Sequence, residues 1–308
     1  LVDLTVTDLR KMEAAMRRDG RSSTSIRYVR LILHRALRAA VVEGHRIPDS
    51  VMLAPKPKAA ASKRQAIPAA DAAAILKVAT EQDAWMPLPT STSGPTRRAR
   101  RLATEQDASR WVAALLQGMR QGECLGLTWD RVDLDAGTLT VDRQLVEMTA
   151  AEDVTGTDGV TYEHLMDGYY WGPVKTAAGS RVLPLVPWMA AALAAWRDQC
   201  PSSPYGLVWP RPDGGPWSKK DDRLAWRAIQ DVAGVHKEDG GYYLVHEARH
   251  STATLLMAAG VPATVVIAIM GHTAITTSMG YQHADLDQAR QALEAVAPRL
   301  GLTSTPTP

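Results

Sequence analysis

The sequence has no phenylalanine and very little cysteine. Among its 308 residues only Cys124 and Cys200 are cysteines, and two thiols in a chain of this length do not make a disulfide framework. Reduced thiols are the ordinary state in the cytoplasm, so we expect a cytoplasmic protein. Because phenylalanine is absent, aliphatic side chains and the nine tryptophans must fill the interior.

Signals of secretion and membrane insertion are also missing. No charged-then-apolar leader opens the sequence, which argues against secretion. One membrane-like run, 253–270, is interrupted by Gly260 and Pro262, so two short buried helices explain it better than a membrane span. The first residue is Leu1 rather than methionine, and we therefore expect the chain to be part of a longer protein.

The net charge of +2 hides an uneven distribution of charge. Residues 1–64 contain 14 Lys and Arg against 6 Asp and Glu, whereas the rest of the chain is mildly acidic. Basic modules of this kind commonly bind polyanions. Within this module Arg27, Arg30, His34 and Arg38 recur at helical spacing and form a candidate DNA-binding stripe. A solvated helix face would give the same pattern.

Composition and periodicity predict four segments. We expect a partial helical domain at 1–55, an exposed linker rich in Pro and Lys at 56–66, a larger domain at 67–300 and a disordered tail at 301–308. Thr5, with Asp8 three residues later, is typical of a capping box at the start of a helix. Such capping signals and apolar periodicity predict mainly α-helices with a small antiparallel β-sheet, an α+β fold.

Some segments of the larger domain are predicted to be irregular. The hexapeptide ATEQDA occurs twice around 82–107, and we expect a flexible loop there. A polar loop is expected near 150–168, followed by two short strands about an Ala-Ala-Gly turn within 174–185. A last helix is predicted over 285–297, and its apolar stripe suits packing either on its own domain or on a neighbouring protomer.

A short helical unit near the end of the chain carries reactive side chains. His246 and Arg249 stand three residues apart, so they share one face of a predicted helix. A second helix ends at Gly271, His272 follows at once, and Tyr281 comes nine residues later. The arginine fork matches phosphate oxygens, imidazoles transfer protons, and a phenol can form a covalent phosphotyrosine. The pattern indicates phosphodiester chemistry.

With Arg120 in GMRQGE and Lys175 in VKTAAGSR, these residues resemble the motif set of the tyrosine recombinases, the phage-integrase family. The resemblance covers roughly residues 67–297 and, more weakly, 1–55. It implies a tyrosine recombinase catalytic domain preceded by part of a helical core-DNA-binding domain.

The resemblance also implies a role for each side chain. Tyr281 would attack the scissile phosphate and leave a 3′-phosphotyrosyl link and a free 5′-hydroxyl. Arg120 and Arg249 would hold the non-bridging oxygens, with Glu123 orienting the turn that carries Arg120.

The remaining roles concern protons and hydrogen bonds. Lys175 would protonate the leaving 5′-oxygen from a mobile hairpin, His246 would assist proton transfer at the nucleophile, and His272 would donate a hydrogen bond to the phosphate. Ala248 stands where the family often has leucine, a departure that affects packing rather than catalysis.

The implied function is site-specific recombination of DNA, integrating or excising a phage or another mobile element. Its partners would be double-stranded DNA attachment sites and three further copies of the chain in a homotetramer on DNA. An accessory DNA-bending or directionality factor would be a possible further partner. The phosphotyrosine conserves the bond energy of the phosphodiester, so we expect no cofactor and no metal. The resemblance also implies a bacterial or phage-encoded protein that associates with the nucleoid.

Two other functions remain open on the sequence alone. A type IB topoisomerase-like enzyme would use like chemistry but would swivel and reseal one duplex instead of exchanging strands between two. A catalytically silent DNA-binding scaffold would use only the basic stripe, and the presence of all six reactive residues counts against it. A metal site at the histidines is disfavoured because the HExxH pattern is absent.

Overall fold

The computed structural model describes residues 1–58, 64–81, 94–150, 152–156, 159–271 and 286–303. The chain divides into two compact units, Leu1–Arg64 and Gln65–Pro308. Helices dominate both units, and the strands form small antiparallel sheets, which confirms the predicted α+β class. None of the helices in the described ranges is long and apolar enough to cross a membrane.

The first unit is built from α1 (Val6–Arg18), α2 (Ser23–Val42) and the short α3 (Asp49–Leu53). The predicted capping box is present at the start of α1, where the Asp8 backbone N–H donates to Thr5 Oγ1 at 3.3 Å and the Thr5 N–H donates to Asp8 Oδ2 at 3.0 Å. A small apolar core joins the three helices and consists of Leu9, Leu37 and Val51.

The basic stripe predicted on α2 lies only partly on the surface. Arg27 and Arg38 are exposed and His34 is half-buried, but Arg30 is 1% exposed. The Nε of Arg30 lies 3.4 Å from Oε1 of Glu13 on α1. The prediction that Arg30 belongs to an exposed stripe is therefore wrong, because this position lies on the apolar side of α2 and pairs with a carboxylate of the neighbouring helix.

The second unit contains the remaining helices and all the strands of the described ranges. Its helices are α4 (Ala69–Thr80), α5 (Gly94–Thr104), α6 (Ala108–Leu115), α7 (Gln121–Leu125), α8 (Pro187–Gln199), α9 (Lys219–Ala233), α10 (Val245–Ala258), α11 (Ala263–Met270) and α12 (Leu286–Val296). Its strands are β1 (Val132–Asp133), β2 (Thr138–Val141), β3 (Arg143–Glu147), β4 (Val154–Thr155), β5 (Thr161–Met166), β6 (Tyr169–Pro173) and β7 (Arg181–Pro184).

Two antiparallel sheets form, with strand orders β1-β2-β7 and β3-β6-β5-β4. Because β6 and β7 belong to different sheets, the short 3₁₀ helix Ala177–Gly179 crosses from one sheet to the other and does not close the hairpin that the sequence predicts. Strands β4 and β5 occupy part of the segment predicted as a polar loop. The pairing of β5 with β6 outweighs its polar composition, since strand formation depends on cross-strand neighbours.

The segment predicted as a flexible loop contains a helix. Residues 94–104 form α5, whose Leu102 and Ala103 are buried, while Nη2 of Arg98 lies 2.8 Å from Oδ1 of Asp221 on α9. The loop prediction was wrong for residues 94–104, because the many arginines made an amphipathic helix resemble a polar loop. Residues 82–93 lie outside the described part of the chain.

A buried ion pair lies among α6, α7 and α9. Arg110 and Asp222 are both fully buried, with Arg110 Nη2 2.9 Å from Asp222 Oδ2. The same carboxylate oxygen accepts a hydrogen bond from Gln121 Nε2 at 2.6 Å. Beside this pair, the rings of Trp111 and Trp226 stack at 5.3 Å. Polar and aromatic contacts together fix the turn that follows α6.

The last helix packs on its own unit, one of the two arrangements that the sequence allows. Leu293 and Val296 are completely buried. The guanidinium of Arg290 donates to the carbonyl oxygens of Leu185 at 2.6 Å and Gly137 at 3.1 Å. Helix α12 is thus attached to the ends of strands in the β1-β2-β7 sheet.

The buried Arg110–Asp222 pair predicts a strong dependence of stability on Asp222. Asp222→Asn should lower the free energy of unfolding by about 3 to 5 kcal/mol, because it leaves the Arg110 charge buried without a partner. All nine tryptophans follow residue 64, so urea unfolding monitored by tryptophan fluorescence reports on the second unit. An Arg110→Met, Asp222→Leu double variant is the control and should recover most of the loss. A loss below about 1 kcal/mol in Asp222→Asn would show that the buried charge of Arg110 does not need this partner.

Candidate active site

Arg120 lies on a sharp turn between α6 and α7. The turn requires the left-handed backbone of Gly118, at φ +61°, and a Cβ there would come 2.8 Å from Sδ of Met270. Glu123 accepts a hydrogen bond from the backbone N–H of Arg120 at 2.9 Å and another from its Nη1 at 2.6 Å. Nη2 of Arg120 donates to the carbonyl of Gly271 at 3.3 Å. Glu123 therefore orients this turn, as the sequence led us to expect.

Glu123 also receives a second arginine. The residue is 2% exposed, and its Oε2 accepts a hydrogen bond from Nη2 of Arg181 at 2.9 Å. Burial alone would raise the pKa of Glu123, but the charges and hydrogen bonds of Arg181 and then Arg120 outweigh it and lower the pKa to about 2. The carboxylate is consequently ionised across the whole physiological range of pH.

Arg249 approaches the same place from α10. It is 2% exposed, and its guanidinium donates to the carbonyl oxygens of Gly118 and Met270. Burial, followed by repulsion from Arg120 and Arg181, lowers the pKa of Arg249 to about 9. This value is still above neutral pH, so the buried guanidinium keeps its charge.

Three guanidinium groups thus gather around one carboxylate, that of Glu123. We call the set of Arg120, Arg181, Arg249 and Glu123 the arginine cluster. The formal charge of the cluster is +2, and water solvates this charge poorly in such surroundings. An anion with several oxygens, such as a phosphodiester, would offset the excess charge and match the planar forks of the arginines.

Arg181 was not singled out as a candidate from the sequence. It belongs to the same VKTAAGSR motif as Lys175, but a single arginine near a turn is most often solvated. In the structure its side chain is 6% exposed. The signal that could have identified it is its place at the start of β7, where a strand residue that points inward needs a buried acceptor.

Lys175 lies on the segment between β6 and the 3₁₀ helix and is exposed. Its charge contributes to lowering the pKa of Lys219 at the start of α9, after the larger effect of burial. The segment itself reaches the arginine cluster, since a Cβ on Gly271 would lie 2.7 Å from the carbonyl oxygen of Ala178. The structure therefore places the backbone of the Lys175 segment beside the site and its ammonium group near solvent.

His246 lies in the first turn of α10 and is half-buried. Its ring packs edge-on against that of His250, with 5.0 Å between centroids. The adjacent Glu247 holds the start of the helix, accepting hydrogen bonds from the backbone N–H groups of Leu244 at 2.7 Å and Gln65 at 2.9 Å. His246 is thereby set on a firmly anchored helix end, one turn before Arg249.

The described part of the chain brings together Arg120 and Arg249, with His246 on the same helix as Arg249. Helix α11 ends at Gly271 in a left-handed conformation, at φ +58°. His272 and Tyr281 lie outside the described residues. No group of three or more His, Cys, Asp or Glu side chains that could hold a metal ion occurs within the described ranges.

Comparison with known sequences identifies a matching family. The profile of the phage integrase family matches residues 102–288, which include the whole arginine cluster. An integrase from Saccharopolyspora erythraea is 26% identical over 218 residues, 56% of this chain and 49% of that protein. A tyrosine recombinase XerC from Methylobacterium sp. (strain 4-46) is 27% identical over 305 residues, 98% of this chain and 80% of the relative. The chain spans about half the length of several curated relatives that it matches.

Solved structures with the same fold include two DNA-bound integrases. A Tn1549 transposon integrase in complex with transposon right end DNA has a TM-score of 0.64 at 20% identity, covering 96% of this chain and 86% of the other. A lambda integrase tetramer bound to a Holliday junction has a TM-score of 0.54 at 18% identity, covering 92% and 68%. At these identities the likeness establishes the fold.

The low pKa of Glu123 predicts a pH-dependent contribution to stability. Because the folded pKa lies below the ordinary value of 4.5, the contribution is complete above that value and disappears as the pH falls toward about 2. Glu123→Gln should therefore be less stable than the parent by about 3 kcal/mol at neutral pH, and the difference should shrink below about pH 5. Urea denaturation from neutral to acid pH measures it, and a difference independent of pH would contradict the assignment.

Proposed function

Because the chain belongs to the phage integrase family, we propose that it is a site-specific DNA recombinase that cleaves and rejoins strands through a 3′-phosphotyrosyl intermediate. The strongest support is that Arg120 and Arg249 converge on one buried, positively charged site. In the cell the proposed task is to integrate or excise a phage or another mobile element, in the cytoplasm of a bacterial host.

Two arginines of the cluster would bind the scissile phosphate. Arg120 and Arg249 are proposed to donate to its non-bridging oxygens, where negative charge grows as phosphorus becomes five-coordinate. Loss of one such donor should cost about 3 kcal/mol of transition-state stabilisation, by analogy with a lost oxyanion-hole donor. Glu123 holds the cluster together and takes no part in the chemistry.

Side chains of this protein supply the nucleophile and the proton donor and acceptor that the proposed cleavage step needs. The phenolic oxygen of Tyr281 forms a bond to phosphorus while the bond from phosphorus to the 5′-oxygen breaks. His246 accepts the phenolic proton, Lys175 supplies a proton to the leaving 5′-oxygen, and His272 donates a hydrogen bond to the phosphate. Rejoining is the reverse, with a 5′-hydroxyl attacking the phosphotyrosine, so the bond energy is retained.

Binding to duplex DNA is proposed to involve the exposed basic face of α2. Arg27 and Arg38 are exposed there, and the half-buried His34 lies between them along the helix. Arg30 is excluded from this face because it is buried against α1. Contacts of this type with phosphates position a protein on DNA without reading its sequence.

The proposed assembly is a homotetramer on two DNA attachment sites. The structural similarity to a lambda integrase tetramer on a Holliday junction supports it. An accessory DNA-bending or directionality factor would be a further partner. Strand exchange between two duplexes, as opposed to swivelling and resealing of one, is the property that separates this proposal from a type IB topoisomerase-like enzyme.

Covalent trapping of DNA tests the proposed nucleophile. A nicked substrate carrying the attachment site of the element should give an SDS-resistant complex with the parent protein and none with Tyr281→Phe, because only the phenolic oxygen forms the link. DNA binding by Tyr281→Phe should be nearly unchanged in a gel-shift measurement. Arg249→Ala should slow cleavage by about 10² to 10³-fold through loss of charge stabilisation.

Two outcomes would contradict this proposal. An SDS-resistant complex with Tyr281→Phe would mean that another residue is the nucleophile. Cleavage that always reseals within one duplex, with no product joining two labelled attachment sites, would favour the topoisomerase-like alternative.

The proposed DNA-binding face makes a prediction about salt. Arg27→Ala and Arg38→Ala should each lower affinity and reduce the slope of log K against log salt concentration by about 0.9, because each loses one phosphate contact. Arg30→Ala, on the same helix, is the matched control: it should leave the slope unchanged and lower the stability of the first unit. Fluorescence anisotropy across a salt series measures all three, and equal slopes for Arg27→Ala and the parent would contradict the assignment.

A further inference from the structure

Arg181 contacts its own segment and two segments that are distant in the sequence. Its Nη2 lies 2.9 Å from Glu123, its Nε donates to the carbonyl of Ile269 at 2.8 Å, and its Nη1 donates to the carbonyl of Gly179 at 2.9 Å. A guanidinium can bind three acceptors in this way because its donors point outward in one plane. A lysine at the same position would keep the charge beside Glu123 but could not reproduce the planar geometry.

Each of the three acceptors belongs to a segment that carries a proposed active-site residue. Glu123 orients the turn of Arg120, and Ile269 lies near the C-terminal end of α11, three residues before His272. Gly179 lies in the segment that begins with Lys175 and leads into β7. Arg181 therefore joins the Lys175 segment to the two other segments through side-chain hydrogen bonds in the buried part of the site.

The surrounding packing leaves little freedom at this junction. A Cβ on Gly271 would lie 2.7 Å from the carbonyl oxygen of Ala178 and 3.2 Å from Cδ of Arg181. A Cβ on Gly179 would lie 3.0 Å from Cβ of Val174. The 3₁₀ helix is thus held closely against α11 and against its own preceding strand end.

We propose that Arg181 is a positioning residue, which fixes the Lys175 segment against the Arg120 turn so that the ammonium group can reach the leaving 5′-oxygen. The inference rests on the proposed function, since it concerns the proton that Lys175 delivers in the cleavage step. Arg181 itself does not contact the 5′-oxygen. It acts through the backbone of residues 175–179.

The chemistry of the leaving group allows a selective test. When the 5′-oxygen is replaced by sulfur, the bond from phosphorus to sulfur breaks and a thiolate leaves without needing a proton, because a thiol, with a pKa of about 8.5, is far more acidic than an alcohol. Cleavage of that substrate does not depend on Lys175. A residue that acts by placing Lys175 should therefore matter for the oxygen substrate and matter little for the sulfur substrate.

The experiment compares single-turnover cleavage of matched oxygen and 5′-phosphorothiolate DNA by the full chain. Arg181→Lys should cleave the oxygen substrate about 10- to 100-fold more slowly than the parent, the size expected when a catalytic group is slightly misplaced. Its rate with the sulfur substrate should be close to that of the parent. The ratio of the two rates is internal to each variant, so a smaller folded fraction cancels from it.

Three variants calibrate the ratio. Lys175→Ala should show the largest rise in the ratio of sulfur to oxygen rates, since it removes the proton donor itself. Arg249→Ala should be slow with both substrates. Arg290→Lys is the matched control for a lost arginine fork, because Arg290 likewise donates to two carbonyl groups, at the other end of the β1-β2-β7 sheet, and its ratio should equal that of the parent.

The outcomes separate this inference from the proposed function. A parent protein that cleaves neither substrate would overturn the recombinase proposal and this inference with it. If the parent and Lys175→Ala behave as expected but Arg181→Lys is slowed equally on both substrates, or not slowed at all, then Arg181 does not position Lys175. A raised ratio in Arg181→Lys with the control unchanged supports the assignment.

Discussion

The site depends on one buried carboxylate, Glu123, shared by two arginines. Bringing three guanidinium groups together is unfavourable, and in poorly solvated surroundings the repulsion is larger than in water. Glu123 offsets part of it by bonding Arg120 and Arg181, while backbone carbonyls hold Arg249. The charge that is left over remains available for a ligand. The neighbouring arginines lower the pKa of Glu123 to about 2, and burial together with repulsion from Arg120 and Arg181 lowers the pKa of Arg249 to about 9.

The fold creates this excess of positive charge by bringing segments that are distant in the sequence to one point. The turn after α6, the start of β7 and the end of α11 meet there, and glycines make the meeting possible. Gly118 reverses the chain before Arg120, and Gly271 lets α11 end against the segment of residues 175–179. The buried Arg110–Asp222 pair lies behind the same turn and holds Gln121, the residue after Arg120. Stability and function therefore depend on adjoining polar networks.

Local signals in the sequence predicted the elements with strong caps and apolar periodicity. The capping box at Thr5, the break between α10 and α11, and the spacing of His246 and Arg249 were all readable because they depend on near neighbours. Tertiary effects were not readable. The burial of Arg30 and Arg181 and the helix at 94–104 each depend on a partner far away in the sequence. Single arginines are normally solvated, so nothing in the neighbouring sequence marks the burial of Arg30, and only a position at the start of β7 marks that of Arg181.

We propose that the excess positive charge of the arginine cluster stabilises a phosphodiester attacked by Tyr281. The covalent adduct can be located by tandem mass spectrometry after nuclease and trypsin digestion of a DNA-trapped complex. Trypsin should release residues 250–290 as one peptide, in which Tyr281 is the only tyrosine. We expect a nucleotide mass on that tyrosine, joined through a 3′-phosphate. A nucleotide on any other residue, or a 5′-linked adduct, would contradict the assignment of Tyr281 as the nucleophile.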